Sequence, residues 1–123
     1  MKSRLFVVTF ILATMRTTVA ATITVPGDYP TIGDAYNAAH NGDEILVSPG
    51  LYTINGTFPI QKKIILRSNF DGKDLSIVKS TILKGVQNSD LISIANIPSV
   101  AGTVIQGFTL TRDPVTDRFR DRI

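Results

Sequence analysis

After Ala39 the apolar residues of this 123-residue chain come only in short runs, each broken by turn residues. Ile45–Val47 closes at Pro49-Gly50, and Ile64–Leu66 lies between Lys62-Lys63 and Ser68-Asn69-Phe70-Asp71-Gly72. A weaker run follows at Phe58–Ile60, and others at Thr81–Leu83, Leu91–Ile94 and Val104–Thr111. No helical period recurs in this stretch. Strings of Ile, Val and Leu this short, with polar punctuation, predict strands buried in an all-β fold.

One helix is expected, ahead of these runs. Thr22–Val25 alternates as a strand does and leads to a Pro26-Gly27 turn. Pro30-Thr31 then signals a helix start, with Thr31 as N-cap and Asp34 as an acidic variant of the capping box. Ile32, Ala35, Tyr36 and Ala39 fall on one stripe, and Asn41-Gly42 supplies a left-handed stop. So short a helix cannot bury its stripe alone. It reads as a lid over the first layer of strands, whose interior and backbone edge would otherwise be exposed.

The runs at Ile45, Ile65 and Phe108 are spaced by about one and then about two units of roughly 20 residues, within the range of solenoid repeats. A β-sandwich of short hairpins is the rival. It calls for two-residue turns such as Asn-Gly or Asp-Gly between neighbouring runs, and only Asn55-Gly56 and Asp71-Gly72 supply them.

The N-terminus bears on location and on charge. Lys2 and Arg4, the mostly apolar Leu5–Met15 and the small residues Thr17–Ala21 follow the order of a secretory signal, with cleavage after Ala20 or Ala21. The apolar run is too short for a bilayer span, which takes about 20 residues. The segment also holds Lys2, Arg4 and Arg16, three of the thirteen basic residues, so ten remain against ten acidic ones. The net charge of +3 therefore belongs to the signal. A basic face for nucleic acid has no support. The chain has no cysteine, which excludes a disulfide framework, thiolate metal sites and a Cys nucleophile.

Two segments carry a resemblance. The first reads Val-Pro-x-Asp-Tyr-Pro-Thr-Ile-x-x-Ala-x-x-Ala over Val25, Pro26, Asp28, Tyr29, Pro30, Thr31, Ile32, Ala35 and Ala38, then Gly-Asp-x-Ile-x-Val-x-Pro-Gly-x-Tyr over Gly42, Asp43, Ile45, Val47, Pro49, Gly50 and Tyr52. The second is Ile105-Gln106-Gly107-Phe108-Thr109-Leu110. Together they resemble the N-terminal part of right-handed parallel β-helix proteins, the pectin-lyase-like class, over roughly residues 22 to 111. The resemblance implies an all-β, right-handed parallel β-helix with a short N-terminal capping α-helix, incomplete at the C-terminus. With the signal, it divides the chain into a signal peptide (1–20), an N-terminal strand and capping helix (21–42), β-helix rungs (43–111) and a charged tail (112–123). That tail holds four arginines and three aspartates where the class would place another rung. It suggests a truncated chain or fragment whose last rung lacks a cap.

Such a fold leaves the activity open. Many members of the class cut or bind polysaccharides. Pectate lyases bind calcium through aspartates and use an arginine as base on a shared exterior face, but no motif maps those roles onto Asp71, Asp74 or Arg67. His40, the lone histidine, is either a general base or a polar residue in the last helical turn, where the helix dipole favours it; the second reading is preferred. Asp71-Gly72-Lys73-Asp74 reads as a solvated turn, since it lacks the alternating ligands of a calcium loop. Asp43 and Glu44 are adjacent on a strand and point to opposite faces, so they do not form a glycosidase pair; Asp43 is expected to shape the turn after Gly42. Ser48 and Ser93 have no nucleophile elbow around them. Asn55-Gly56-Thr57 is an N-glycosylation sequon, meaningful in a eukaryotic secretory pathway, although a plain turn accounts for it and is the favoured reading. Tyr36 is expected under the lid, with Tyr29 and Tyr52 closing turns rather than stacking on sugars.

The expectation is thus a secreted or extracellular β-helix module, periplasmic or cell-surface in a bacterium, which binds glycans or forms surface structure. No catalytic, cofactor-binding or metal-ligating residue is assigned and no cofactor is expected. The alternative is the N-terminal fragment of a polysaccharide-active enzyme of the pectate lyase, polysaccharide hydrolase or pectin esterase type. The expected partner is a polysaccharide, with self-association through the uncapped last rung. Nucleic acid and a membrane span after signal removal are not expected.

Overall fold

The structure is a computed structural model and describes residues 19–86 and 90–112. The signal-like segment before Val19 and the tail after Arg112 lie outside the described residues. The elements are β1 (Thr22–Val25), α1 (Ile32–Ala38), β2 (Glu44–Val47), β3 (Gly50–Ile54), β4 (Phe58–Ile60), β5 (Ile65–Ser68), α2 (Leu75–Ser80), β6 (Thr81–Gly85), β7 (Ile92–Ile94), a 3-10 turn (Pro98–Val100), β8 (Val104–Gln106) and β9 (Thr109–Arg112). The chain is therefore mainly β. Its strands form three sheets, ordered β1-β2-β5-β8, β3-β6-β9 and β4-β7. Every strand pair is parallel. From β2 onward the chain visits the first, second and third sheets in turn, then repeats the cycle.

The registers explain why short apolar runs suffice. Ile23, Ile45, Leu66 and Ile105 stack in one column of the first sheet, and Val25, Val47 and Ser68 in the next inward column. Side chains alternate across a strand. In β2, Ile45 and Val47 are accordingly fully buried, while Glu44 and Leu46 are half-exposed on the outer face. Ile60, Ile64 and Leu83 join them in one continuous core. Each such side chain contributes about 1.5–3 kcal/mol on burial.

Residues before β2 close the start of this core. Thr31 caps α1: its hydroxyl accepts from Asp34 N at 3.0 Å and donates to the Asp34 carboxylate at 2.7 Å. Ile32, Ala35, Tyr36 and Ala39 are all buried, as their spacing predicts. The helix ends earlier than expected, with Ala39 as an extended C-cap. Gly42, at φ +95°, does not cap it; it sets the turn into β2 and donates its N–H to Lys63 O at 2.8 Å. Lys62 serves the helix C-terminus instead. Its ammonium donates to the carbonyls of Tyr36 and Ala39 at 2.9 Å and of Asn37 at 3.3 Å, and stands 4.8 Å from the Tyr36 ring centre. A cation there satisfies orphan carbonyls and favours the dipole.

Four expectations change. The stretch after Ala39 does contain a helix, α2, started by Asp74, whose carboxylate accepts from Ser76 N. None of its residues is buried, so there was no stripe to read. Pro49-Gly50 does not simply end a run, because β3 begins at Gly50 with Leu51 and Thr53 facing outward. Val104–Thr111 is two strands, bent at Gly107 with φ +82°. A Cβ at Gly107 would also collide with the buried Ser68 hydroxyl, so the bend needs glycine on two counts. Finally, Glu44 pairs with Ile65, 21 residues on, and Ile65 pairs with Val104, 39 residues on. The longer interval is one circuit of the three sheets, lengthened by α2 and the 3-10 turn, rather than two circuits.

Candidate functional site

α1 packs against β1 and β2 of the first sheet, and its first turn stands beside the second sheet. There β3 is the edge strand, paired only with β6 among the described residues. The gap between the start of α1 and the β3–β4 segment is a cleft of about 410 Å³, open to solvent, running from Pro30–Gly33 to Leu51–Phe58. Tyr52 and Phe58 supply rings; Thr31, Thr53, Asn55 and Thr57 supply hydroxyl and amide groups. No Asp, Glu, Lys, Arg or His lines it.

Both rings are held by their surroundings. The Tyr52 hydroxyl donates to Ser48 O at 2.7 Å, and its ring lies over Gly50, where an added Cβ would come within 3.3 Å of the ring. The Pro-Gly-x-Tyr spacing is thus a packing unit, with glycine making room for the ring. Burial pushes the Tyr52 phenol above its ordinary value, so it remains a neutral donor. Phe58 meets Tyr36 edge to face, with centroids 5.0 Å apart and planes at 69°. Tyr36 is fixed in turn by accepting from Gln61 N at 2.7 Å and Lys62 N at 3.2 Å.

A second, shallower depression of about 570 Å³ lies over β1 and includes Asp28, His40 and Asp43. Its carboxylates are already engaged. Asp43 accepts from His40 N at 2.8 Å and Ala21 N at 2.9 Å, and the His40 contact leads in holding its carboxyl below the ordinary range. Asp28 accepts from the Thr24 backbone and hydroxyl, which lower it likewise. Asp43 does shape the turn before β2, as expected. His40 is a correction: it lies beyond the end of α1, not in its last turn, with its ring exposed and Nδ1 3.8 Å from Asp43.

The remaining sequence candidates are scattered. Glu44 turns to the outer face of the first sheet, pairs with Arg67 on β5 and accepts from the Thr22 hydroxyl at 3.2 Å. Arg67 is the leading cause of its lowered pKa. Asp71 accepts from Lys73 N and Asp74 N, an Asx-type turn, and its carboxyl is lowered by the same contacts. Asp74 caps α2, and its hydrogen bonds with Ser76 lower it. Ser48 and Ser93 are both exposed. Asn55 lies at the cleft rim. Tyr36 sits under α1 and Tyr52 closes its turn; Tyr29 packs partly buried against the core.

Sequence reasoning missed the cleft because Thr53 and Thr57 look like ordinary β-strand and turn residues. It also passed over Lys62 as punctuation. The available signal is the Gly50–Tyr52 pair, which the sequence offers as part of the Pro-Gly-x-Tyr segment and as a turn rather than as a sugar-stacking surface. No protein-family model, curated protein or solved structure matches the chain.

Proposed function

We propose that this chain is a right-handed parallel β-helix module, exported from the cytoplasm, that binds a neutral glycan segment in the α1–β3 cleft. The helical winding is supported by the cyclic visiting order of three parallel sheets and by the Gly-Phe-Thr-Leu and Pro-Gly-x-Tyr segments. The observation that carries the ligand class is the lining: two fixed rings beside hydroxyls and an amide, with no charged group. Sugar C–H faces pack on aromatic rings while their hydroxyls exchange hydrogen bonds with neutral polar groups. The cleft volume also lies in the ordinary range for small-ligand sites, about 300–1,000 Å³.

Titration of the purified chain with neutral and acidic oligosaccharides, read by chemical shifts of the Tyr52 and Phe58 rings, tests this. Neutral chains should bind and Tyr52→Ala should abolish the response. Absence of binding to every polysaccharide, or a preference for polygalacturonate, would overturn it.

A second reading, the N-terminal part of a polysaccharide lyase, hydrolase or pectin esterase, draws on the continuous outer face of the first sheet that carries Glu44 and Arg67. Release of unsaturated or reducing ends by a longer product would favour it.

A further inference from the structure

Asn55-Gly56-Thr57 joins β3 to β4. An ordinary turn explains Gly56, whose φ of +83° suits glycine. It does not explain the residues on either side. Polar side chains at turns normally hold nearby backbone, and several here do: Asn41 accepts from Lys63 N, Asp28 from Thr24 N, and Asp71 from Lys73 N. The Asn55 amide and the Thr57 hydroxyl make no such bond among the described residues, and both side chains are exposed. Nothing in the fold requires Asn at 55 or a hydroxyl at 57, yet together they complete Asn-x-Thr with a middle residue other than proline.

We propose that Asn55 is an N-linked glycan acceptor. Its Nδ2 attacks the anomeric carbon of a lipid-pyrophosphate-linked oligosaccharide. A C–N bond forms as the anomeric C–O bond to phosphate breaks. The lipid pyrophosphate leaves, and Nδ2 gives up one proton to the transferase base; no oxidation state changes. Transfer takes place on the emerging chain, so the folded state need only leave room for the adduct. Asn55, exposed at the edge of an open cleft, leaves that room. A glycan on Asn55 would take the one amide side chain of the cleft lining, so on a modified chain the cleft would offer only its two rings and threonine hydroxyls.

The test is translation of the whole chain with endoplasmic-reticulum microsomes, once with its own N-terminus and once with residues 1–20 replaced by a proven cleavable leader. Protease protection identifies the imported chains. Protected wild-type chain should gain the mass of one core glycan, removable by an endoglycosidase that cleaves N-linked cores. The shift should be lost entirely in Asn55→Gln and Thr57→Ala and retained in Thr57→Ser. Protected chain behind the proven leader with unshifted mass, or a shift that persists in Asn55→Gln, would overturn the proposal.

Discussion

The two ends of the described stack use the same residue types with opposite results. Ile45 and Ile105 share one inward column, yet Ile45 is fully buried and Ile105 only partly. In the second sheet, Leu83 and Leu110 are register partners; Leu83 is 1% exposed and Leu110 58%. Ile94, the register partner of the fully buried Ile60, is likewise exposed toward the far end. At the near end β1, α1, Tyr36 and Lys62 close over the column. The difference shows that burial in parallel ladders comes from the layers above and below a residue, not from the residue's own run.

The sharpest way to break this comparison is to truncate one residue at each end. Ile45→Ala should cost about 3 kcal/mol, within the 2–5 kcal/mol seen for buried aliphatic truncations. Leu110→Ala should stay within roughly 0.5 kcal/mol, as exposed positions do. Denaturant melts of the two variants check this, and equal losses would mean that the far end is as well packed as the near one.

A smaller effect separates the cap from the column it covers. Tyr36→Phe removes the acceptor of two part-buried N–H groups, Gln61 and Lys62, while leaving the ring against Phe58. A buried donor left without a partner costs about 1–3 kcal/mol. Amide exchange should accelerate at Gln61 and Lys62 and remain unchanged in β6 and β9.

The smallest expected effect is acid loosening around Asp43. Asp43 has a folded pKa below the ordinary 3.8 because His40 N and Ala21 N donate to its carboxylate. A lowered folded pKa contributes stability that is present above the unfolded value and lost as pH falls through the folded one. Below about pH 4 the amides of Ala21 and His40 should lose protection first. Asp43→Asn should remove that pH dependence. Simultaneous loss of β8 and β9 protection would show that the ends are not independent.

Much of the near end was legible in the sequence, because local rules govern it. Thr31 as N-cap, the Ile32–Ala39 stripe and the Ile45–Val47 strand all follow from nearest neighbours on the chain. The cleft was less accessible. Thr53, Asn55 and Thr57 acquire meaning only when β3 becomes an edge strand beside the start of α1, a long-range arrangement that no local pattern shows. α2 has no fully buried residue, only Ile77 and Val78 half-buried, and the 39-residue interval owes its length to insertions that carry no periodic signal.

The central claim is that parallel strands from successive circuits stack in register. Thr53 and Thr111 test it directly: both face solvent, and each is the register partner of Lys84, from opposite sides. The chain has no cysteine, so a Thr53→Cys, Thr111→Cys double variant can carry two nitroxides and nothing else. Two ladder spacings put the labelled backbones about 10 Å apart. Strong dipolar broadening in the double variant, absent from either single one, is the expected result. A double-variant spectrum equal to the sum of the singles would contradict the stacked parallel arrangement.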